Sequence, residues 1–192
     1  MTKKTTCQEN YFCDRMRYME IAVVDKSTIR IKGKNVNFIV DPTSSISKVS
    51  SDAILFLSQP ENLDTAVSKV ADARVVINGP GSYEVNGARI SAENEDGKLL
   101  YSINIDGINI FLGLASAALK KSDKNACNIL ILNTDTDTKE SNISSFEPSV
   151  VVYYGQNAET AVKLLGKEYQ AVSKFSQTAD KLPQDTQVVL LK

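Results

Sequence analysis

The order of short apolar runs along the chain restricts its possible folds more than any other feature of the sequence. Residues 53–57 form a continuous apolar run of strand length, which is typical of an inner strand covered on both faces. Apolar residues then recur at helical spacing across 62–71, and residues 74–77 form another strand-like run. This succession predicts a strand–helix–strand unit with parallel strands.

Turn-forming pairs divide other β-rich runs into hairpins. Asn86-Gly87 and Asp106-Gly107 each lie between two strand-like runs, which is a strong hairpin signal. Near the start of the chain, Gly33 follows one such run and precedes another. We therefore predict three hairpins, at these three turns.

The second half of the chain continues the alternation of strands and helices. The pattern predicts buried strands at 127–132 and 149–154 with a short polar helix at about 139–146 between them. A helix over 157–166 and a last strand over 187–191 complete the series. Hairpins combined with strand–helix units predict an α/β (α+β) protein with two sheets covered by helices on their outer sides.

The complete absence of histidine limits the chemistry of the chain. It excludes the Ser-His and Cys-His nucleophile systems and every histidine-ligated metal site. With 22 basic and 23 acidic residues the net charge of the 192-residue chain is −1, which argues against a nucleic-acid partner. No run of 18 apolar residues is present, so we expect no membrane partner.

The cysteines and the amino-terminal residues predict a cytoplasmic protein. Three cysteines without regular spacing do not form a disulfide framework, and we expect Cys127 to be a small core residue. Cys7 and Cys13 would need two further ligands to hold a metal ion. Residues 1–18 have no apolar stretch and differ from the rest of the chain, so we interpret them as an arm or extension preceding a single domain at 19–192.

Several segments match the pattern of a known family. The turn-rich segment 78–87 is close to that family's Gly-Pro-Gly-Glu-Tyr-Glu-Val hairpin and is the most specific match. Weaker matches lie at 31–42, 51–57, 105–108 and 182–190. The hairpin motif is represented here by Gly79, Pro80, Gly81, Tyr83 and Glu84.

On these motifs the chain resembles the metallo-β-lactamase fold. More narrowly, it is similar to the small lactonase-like branch related to ascorbate-6-phosphate lactonase. The resemblance covers residues 19–192 and implies a four-layer αββα sandwich.

The resemblance also locates the family's metal site, where a His-x-His-x-Asp-His loop and further residues hold two metal ions that generate a hydroxide. None of the histidines is present here, and we therefore predict no metal cofactor. The resemblance implies a catalytically inactive relative with a binding, scaffold or self-assembly role, and a homo-oligomer or other protein partner. The residues at the former ligand positions are Lys26, Ser58, Pro60, Asn62, Leu63 and Leu114.

The same alignment brings further polar residues to the groove beside the former metal site. The groove has two interpretations, a pocket for a small ligand of unknown identity or a collapsed groove filled by side chains, and we favour the second. Lys26 would carry a positive charge in place of the lost cation. The additional lining residues are Ser27, Gln59, Glu61, Asp64 and Tyr154.

Two alternative functions stay open at this point. The carboxylates of Asp25, Asp41, Glu61 and Asp64 are oxygen ligands of the kind that Mg²⁺ and Mn²⁺ prefer, which would allow an altered hydrolase. An RNA- or ribosome-associated role would require a local basic face. A Ser58 nucleophile would need a neutral lysine beside it, and we do not favour it.

Overall fold

The computed structural model describes residues 18–121, 126–135 and 143–192. Most of the regular secondary structure in this part of the chain is β-strand. Its strands, in chain order, are β1 (Tyr18–Asp25), β2 (Thr28–Lys32), β3 (Asn37–Val40), β4 (Val49–Ser50), β5 (Ala53–Leu55), β6 (Val70–Ala71), β7 (Val75–Ile77), β8 (Gly81–Val85), β9 (Ala88–Glu95), β10 (Lys98–Ile105), β11 (Ile108–Leu114), β12 (Ile129–Asn133), β13 (Val150–Tyr154), β14 (Tyr169–Val172), β15 (Lys174–Thr178) and β16 (Gln187–Leu191).

The strands form two large sheets and one small one. The six-stranded sheet has the order β15-β1-β2-β3-β5-β7, and the eight-stranded sheet has the order β14-β16-β13-β12-β11-β10-β9-β8. Strands β3, β5 and β7 are parallel to one another, as are β11, β12, β13 and β16. The remaining pairs of the two sheets are antiparallel apart from β14–β16, and β4 pairs with β6 in the small sheet.

The main core lies between the two large sheets. Alternate residues of each strand point inward, so that Phe38 and Val40 of β3 meet the same core as Ile103 and Ile110 of the other sheet. A second apolar cluster covers the opposite face of the eight-stranded sheet. There α2 (Ala115–Ala118) and α3 (Ala158–Leu164) pack on the sheet.

This architecture confirms the predicted mixed α/β fold, although its helices are few. The helix predicted over 62–71 is only α1 (Leu63–Val67), and none of its residues is buried. The helix over 157–166 is confirmed as α3, which buries Ala158, Ala161 and Val162. Most of the arm at 1–18 and the first half of the polar helix predicted at 139–146 lie outside the described residues.

The predicted hairpin turns are present. Asn86 and Gly87 have φ angles of 49° and 85°, and Asp106 and Gly107 have 52° and 86°. Positive φ at both central residues is the geometry of a type I′ turn, which explains why Asn-Gly and Asp-Gly occupy these positions. In the described ranges, no helix combines the length and the apolar character needed to cross a membrane.

Candidate functional site

The carboxyl ends of the parallel strands of both sheets meet at one edge of the sandwich. Asp41 directly follows β3. Burial, and then the negative charge of Asp41, raises the pKa of the Tyr154 hydroxyl at the end of β13. The backbone N–H of Thr134, which follows β12, donates to the carbonyl of Tyr154 at 2.8 Å. Ligand sites of sheets that contain parallel strands occur at such strand ends, so we take this edge as the candidate site.

Asp41 is the central polar residue of this edge. Its φ angle of 47° is left-handed, a conformation that Asp tolerates better than most residues. The backbone N–H of Asp41 donates to the Leu55 carbonyl at 2.9 Å, and its carboxylate accepts from the Leu57 N–H at 2.9 Å. The hydroxyl of the buried Thr28 donates to the Asp41 carbonyl at 2.7 Å. Asp41 thereby fixes the segment that leaves β5.

The ionisation of Asp41 is shifted by its surroundings. Burial raises the pKa of its carboxyl group to about 7, against the opposing effects of the Leu57 N–H and the positive charge of Lys98. The carboxyl group of Asp41 is therefore partly protonated at neutral pH.

Two buried tyrosines lie next to Asp41. The Tyr101 hydroxyl donates to the Phe56 carbonyl at 2.6 Å and lies 3.2 Å from the Ile77 carbonyl. Burial, and then the charge of Asp41, raises the pKa of Tyr101 and of Tyr154 above the ordinary tyrosine value. Both hydroxyls therefore stay protonated near neutral pH. We call Asp41, Lys98, Tyr101 and Tyr154 the strand-end cluster.

Backbone and side-chain hydrogen bonds also hold the loop that follows β5. The Leu99 N–H donates to the Leu57 carbonyl at 2.8 Å, and Ser58 forms an isolated antiparallel bridge with Lys98. The Gln59 amide donates to the Asn78 carbonyl. Asn62 caps α1, because its side-chain oxygen accepts from the Thr65 N–H at 2.9 Å. The loop is thus anchored at both of its ends.

The residues predicted at the former ligand positions occupy different environments. Lys26 lies exposed in the β1–β2 turn, where its N–H donates to the carboxylate of Asp25, and Ser27 beside it is half-buried. Ser58, Pro60 and Leu114 are also half-buried. The sequence analysis did not single out Lys98, whose positive charge lowers the pKa of Asp41 and opposes the effect of burial.

The predicted groove residues differ in burial. Tyr154 is fully buried in the core and Ser27 is half-buried, whereas the others are exposed. Leu63 is 36% exposed as the first residue of α1. The exposed groove residues are Gln59, Glu61 and Asp64, and Asn62 at a former ligand position is exposed as well.

The hairpin motif forms the start of the edge strand β8. The half-buried Tyr83 folds back so that its hydroxyl donates to the Gly79 carbonyl at 3.2 Å. Gly81 has a φ angle of 154°, which suits glycine. Pro80 and Glu84 are exposed. The motif therefore forms a turn and an edge strand and does not precede a helix that could cradle a phosphate.

Sequence reasoning missed Tyr101 and Lys98 as members of the strand-end cluster. Tyr101 alternates with Leu99 and Ile103 on the inner face of β10, and an aromatic residue with a polar tip at such a position needs a hydrogen-bond partner. That signal marks Tyr101 as unusual but does not reveal its partners, because Phe56 is 45 residues away along the chain.

The donor set of this edge does not fit the metal pair that the family resemblance implies. The sequence has no histidine, and among the described residues no three or more Cys, Asp or Glu side chains are grouped as metal ligands. One carboxylate oxygen of Asp41 accepts the Leu57 N–H, and Asp25 bonds to Ser45 and Lys26. The carboxylate set of Asp25, Asp41, Glu61 and Asp64 is therefore not assembled as a magnesium or manganese site.

Comparison with known proteins identifies the fold. No family model and no curated protein matches the sequence. A Thermotoga maritima protein, described as a zinc-dependent hydrolase of the metallo-β-lactamase superfamily, is 17% identical with a TM-score of 0.66, and the match covers 90% of this chain and 98% of that one.

Two further solved structures give the same result at lower similarity. Igni18, a metallo hydrolase from Ignicoccus hospitalis, is 9% identical with a TM-score of 0.55, covering 83% of this chain and 98% of that one. YhfI from Bacillus subtilis, a metallo-β-lactamase fold protein, is 7% identical with a TM-score of 0.53, covering 92% and 97%. At these identities the likeness concerns the fold.

These neighbours correct one prediction of the sequence analysis. The prediction that the chain is not an enzyme is contradicted, because the solved structures that share its fold are described as zinc-dependent and metallo hydrolases. Altered residues at ligand positions do not by themselves establish a loss of activity. The neighbours confirm the fold that the motifs predicted, and the chain has the metallo-β-lactamase fold.

Proposed function

We propose that this chain is a binding protein whose strand-end site is organised by its own hydrogen bonds instead of a zinc pair. The observation that carries the proposal is the 2.9 Å hydrogen bond from the Leu57 N–H to the Asp41 carboxylate. This bond anchors the loop after β5, which is the loop that carries the metal motif in the resembled family. The function of the loop is then structural.

The state of the surrounding groups supports this proposal. A zinc site is built from neutral imidazoles, thiolates and carboxylates that are free to coordinate the ion. Here the Tyr101 hydroxyl donates to the Phe56 carbonyl, and burial keeps it protonated. The cation that acts on Asp41 is the ammonium group of Lys98. The positive charge of Lys98 therefore supplies part of the electrostatic effect on a carboxylate that a metal ion has in the resembled family.

In the proposed site no metal ion takes part in binding or in chemistry. An enzyme built on this site would have to use the protein's own groups, so chelators should leave any hydrolysis by the chain unchanged.

Elemental analysis of the untagged 192-residue protein tests the proposal. We expect less than about a tenth of an equivalent of zinc, magnesium or manganese, since a functional site would be near stoichiometric. We also expect no rise in melting temperature when millimolar Mg²⁺, Mn²⁺ or Zn²⁺ is added. One or two equivalents of bound metal, or a metal-dependent rise in Tm, would contradict the proposal.

A second copy of the chain is the partner that the resemblance implies. Leu164 is 64% exposed at the end of α3, and Tyr169 is 38% exposed on the edge strand β14, so apolar surface is available at this side of the sandwich. The mass in solution tests this point. A homo-oligomer requires a mass that is a multiple of 21.0 kDa, and a monomer mass would remove self-assembly from the proposal.

A further inference from the structure

The outer face of the eight-stranded sheet contains a cavity that is separate from the strand-end cluster. Its volume is about 630 Å³, within the range of small-molecule sites. It crosses the strands β8, β9, β10 and β11 on the side facing away from the main core. We call it the sheet-face cavity. The outward-pointing side chains that line it are Ser82, Glu84, Arg89, Ser91, Ser102, Asn104, Asn109, Phe111 and Cys127.

Four of these residues form one polar row across the strands. Glu84 is the register partner of Arg89, Arg89 is the partner of Asn104, and Asn104 is the partner of Asn109. The Asn104 amide donates to the Asn109 side-chain oxygen at 2.7 Å. One carboxylate, one guanidinium and two amides therefore follow one another in a single line across the sheet.

The next row explains why there is space above the sheet. Ser82 is the register partner of Ser91, Ser91 of Ser102, and Ser102 of Phe111. Three short side chains leave a trough between the charged row and the part of the sheet covered by α2. The trough ends at Phe111, whose ring packs on Phe146 at 4.8 Å between centroids.

The closed end of the trough is apolar. Phe111 and Cys127 are both largely buried there. Burial raises the pKa of the Cys127 thiol to about 12, so the thiol stays neutral and acts as an apolar wall. The cavity therefore has a charged end at β8 and β9 and an apolar end at β11.

The two charges at the polar end have no ion-pair partner among the described residues. Some of the other acidic and basic side chains in the described residues form ion pairs, such as Arg30 with Glu20 at 3.1 Å and Lys163 with Glu159 at 2.9 Å. Within the described residues, Arg89 and Glu84 take part in no ion pair or side-chain hydrogen bond, although directly opposed residues have Cβ atoms only about 5 Å apart. One positive and one negative group are thus held close together and free to bind.

We propose that the sheet-face cavity binds a small zwitterion of the α-amino acid class with an apolar side chain. Its carboxylate would pair with the Arg89 guanidinium, a geometry that supports two parallel hydrogen bonds, and its ammonium group would pair with Glu84. The distance from β9 to β11 is about 10 Å, two strand spacings, which lets an amino acid side chain reach Phe111. The inference deepens the proposed binding role but uses none of the strand-end residues.

A set of matched probes tests the ligand class. The standard amino acids are screened for a rise in melting temperature of the full chain, and affinity is then measured for L-phenylalanine, 3-phenylpropionate and 2-phenylethylamine. We expect an apolar amino acid to bind, and the two analogues that lack one charge to bind at least about tenfold more weakly. No shift with any amino acid, or equal binding of 3-phenylpropionate, would overturn the proposal.

Charge-removing variants locate the site. Arg89→Gln should lose binding. Glu84→Gln should lower the affinity for the zwitterion at least about fivefold, whereas a purely anionic ligand would bind this variant more tightly. Arg74→Gln, at another exposed arginine, is the matched control and should leave binding unchanged. Ser91→Leu should block the trough. Stronger binding by Glu84→Gln, or unchanged binding by Arg89→Gln, would refute the assignment. Metal analysis of the same samples tests the proposal for the strand-end site independently.

Discussion

The strand-end cluster and the sheet-face cavity contain similar residue types in opposite environments. In the cluster, the half-buried Asp41 and the fully buried Tyr101 are bonded to backbone groups of the segment that follows β5. In the cavity, the side chains of Glu84 and Arg89 point away from the core and bond to no described residue. The comparison shows that polar residues inside a sandwich are used to hold it together, whereas unpaired charges on its outside are available for recognition.

The largest effect is expected from removal of the Asp41 carboxylate. Asp41→Ala should lower the free energy of unfolding by about 3 kcal/mol, because the Leu57 N–H loses its acceptor and a left-handed backbone conformation is less favourable for Ala. Urea denaturation at pH 5 measures the loss. A loss below about 1 kcal/mol would mean that the cluster does not hold the loop.

The next effect is a pH dependence from the same carboxyl group. The pKa of Asp41 is raised by burial to about 7, so between about pH 4 and pH 7 the folded state binds more protons than the unfolded state. Stability should therefore fall as pH rises through this window, on the order of 2 kcal/mol, and this contribution should level off above pH 7. Asp41→Asn, which keeps an acceptor but does not titrate, should lose this part of the dependence.

A smaller effect is expected from the Tyr101 hydroxyl. Tyr101→Phe keeps the ring in the core but leaves the Phe56 carbonyl without this donor, which should cost about 1–2 kcal/mol. Thermal unfolding of the variant measures the loss. Tyr18→Phe, at a tyrosine that is 49% exposed, provides the control and should change stability little.

The smallest effect is expected on the outer face. Arg89→Gln and Glu84→Gln should each change the unfolding free energy by less than about 0.5 kcal/mol, because both side chains are exposed and unpaired among the described residues. A double-mutant cycle measures any coupling between them. A coupling above about 1 kcal/mol would show that they pair with each other in solution, which would weaken the contrast between the two regions.

Local patterns in the sequence predicted the features that depend on neighbouring residues. The Asn86-Gly87 turn and α3 followed from turn chemistry and helical periodicity. Contacts between distant segments were not predictable in this way. Lys98 acts on Asp41 only because β10 and the loop after β5 come together in the folded chain, and Lys26, the lysine that the alignment favoured, lies in an exposed turn.

Two edge strands were missed for a related reason. The segments 169–172 and 174–178 form β14 and β15, which lie at the edges of the two large sheets. Their residues are mostly exposed, so they lack the apolar runs that reveal inner strands. Pairing with β16 and β1 determines their conformation more than their own side chains do.

The close approach of Gly33 to the other sheet affects the mechanics of the sandwich. A Cβ atom at Gly33 would lie 2.4 Å from a methyl group of Ile105, and the Lys34 N–H donates to the Asp106 carboxylate at 2.7 Å. These contacts join the sheets at the amino ends of β3 and β11, while the strand-end cluster joins them at the carboxyl ends. Because contacts hold the two sheets together at both ends of these strands, sliding of one sheet over the other is suppressed. The two sheets should therefore open to hydrogen exchange as a single cooperative unit.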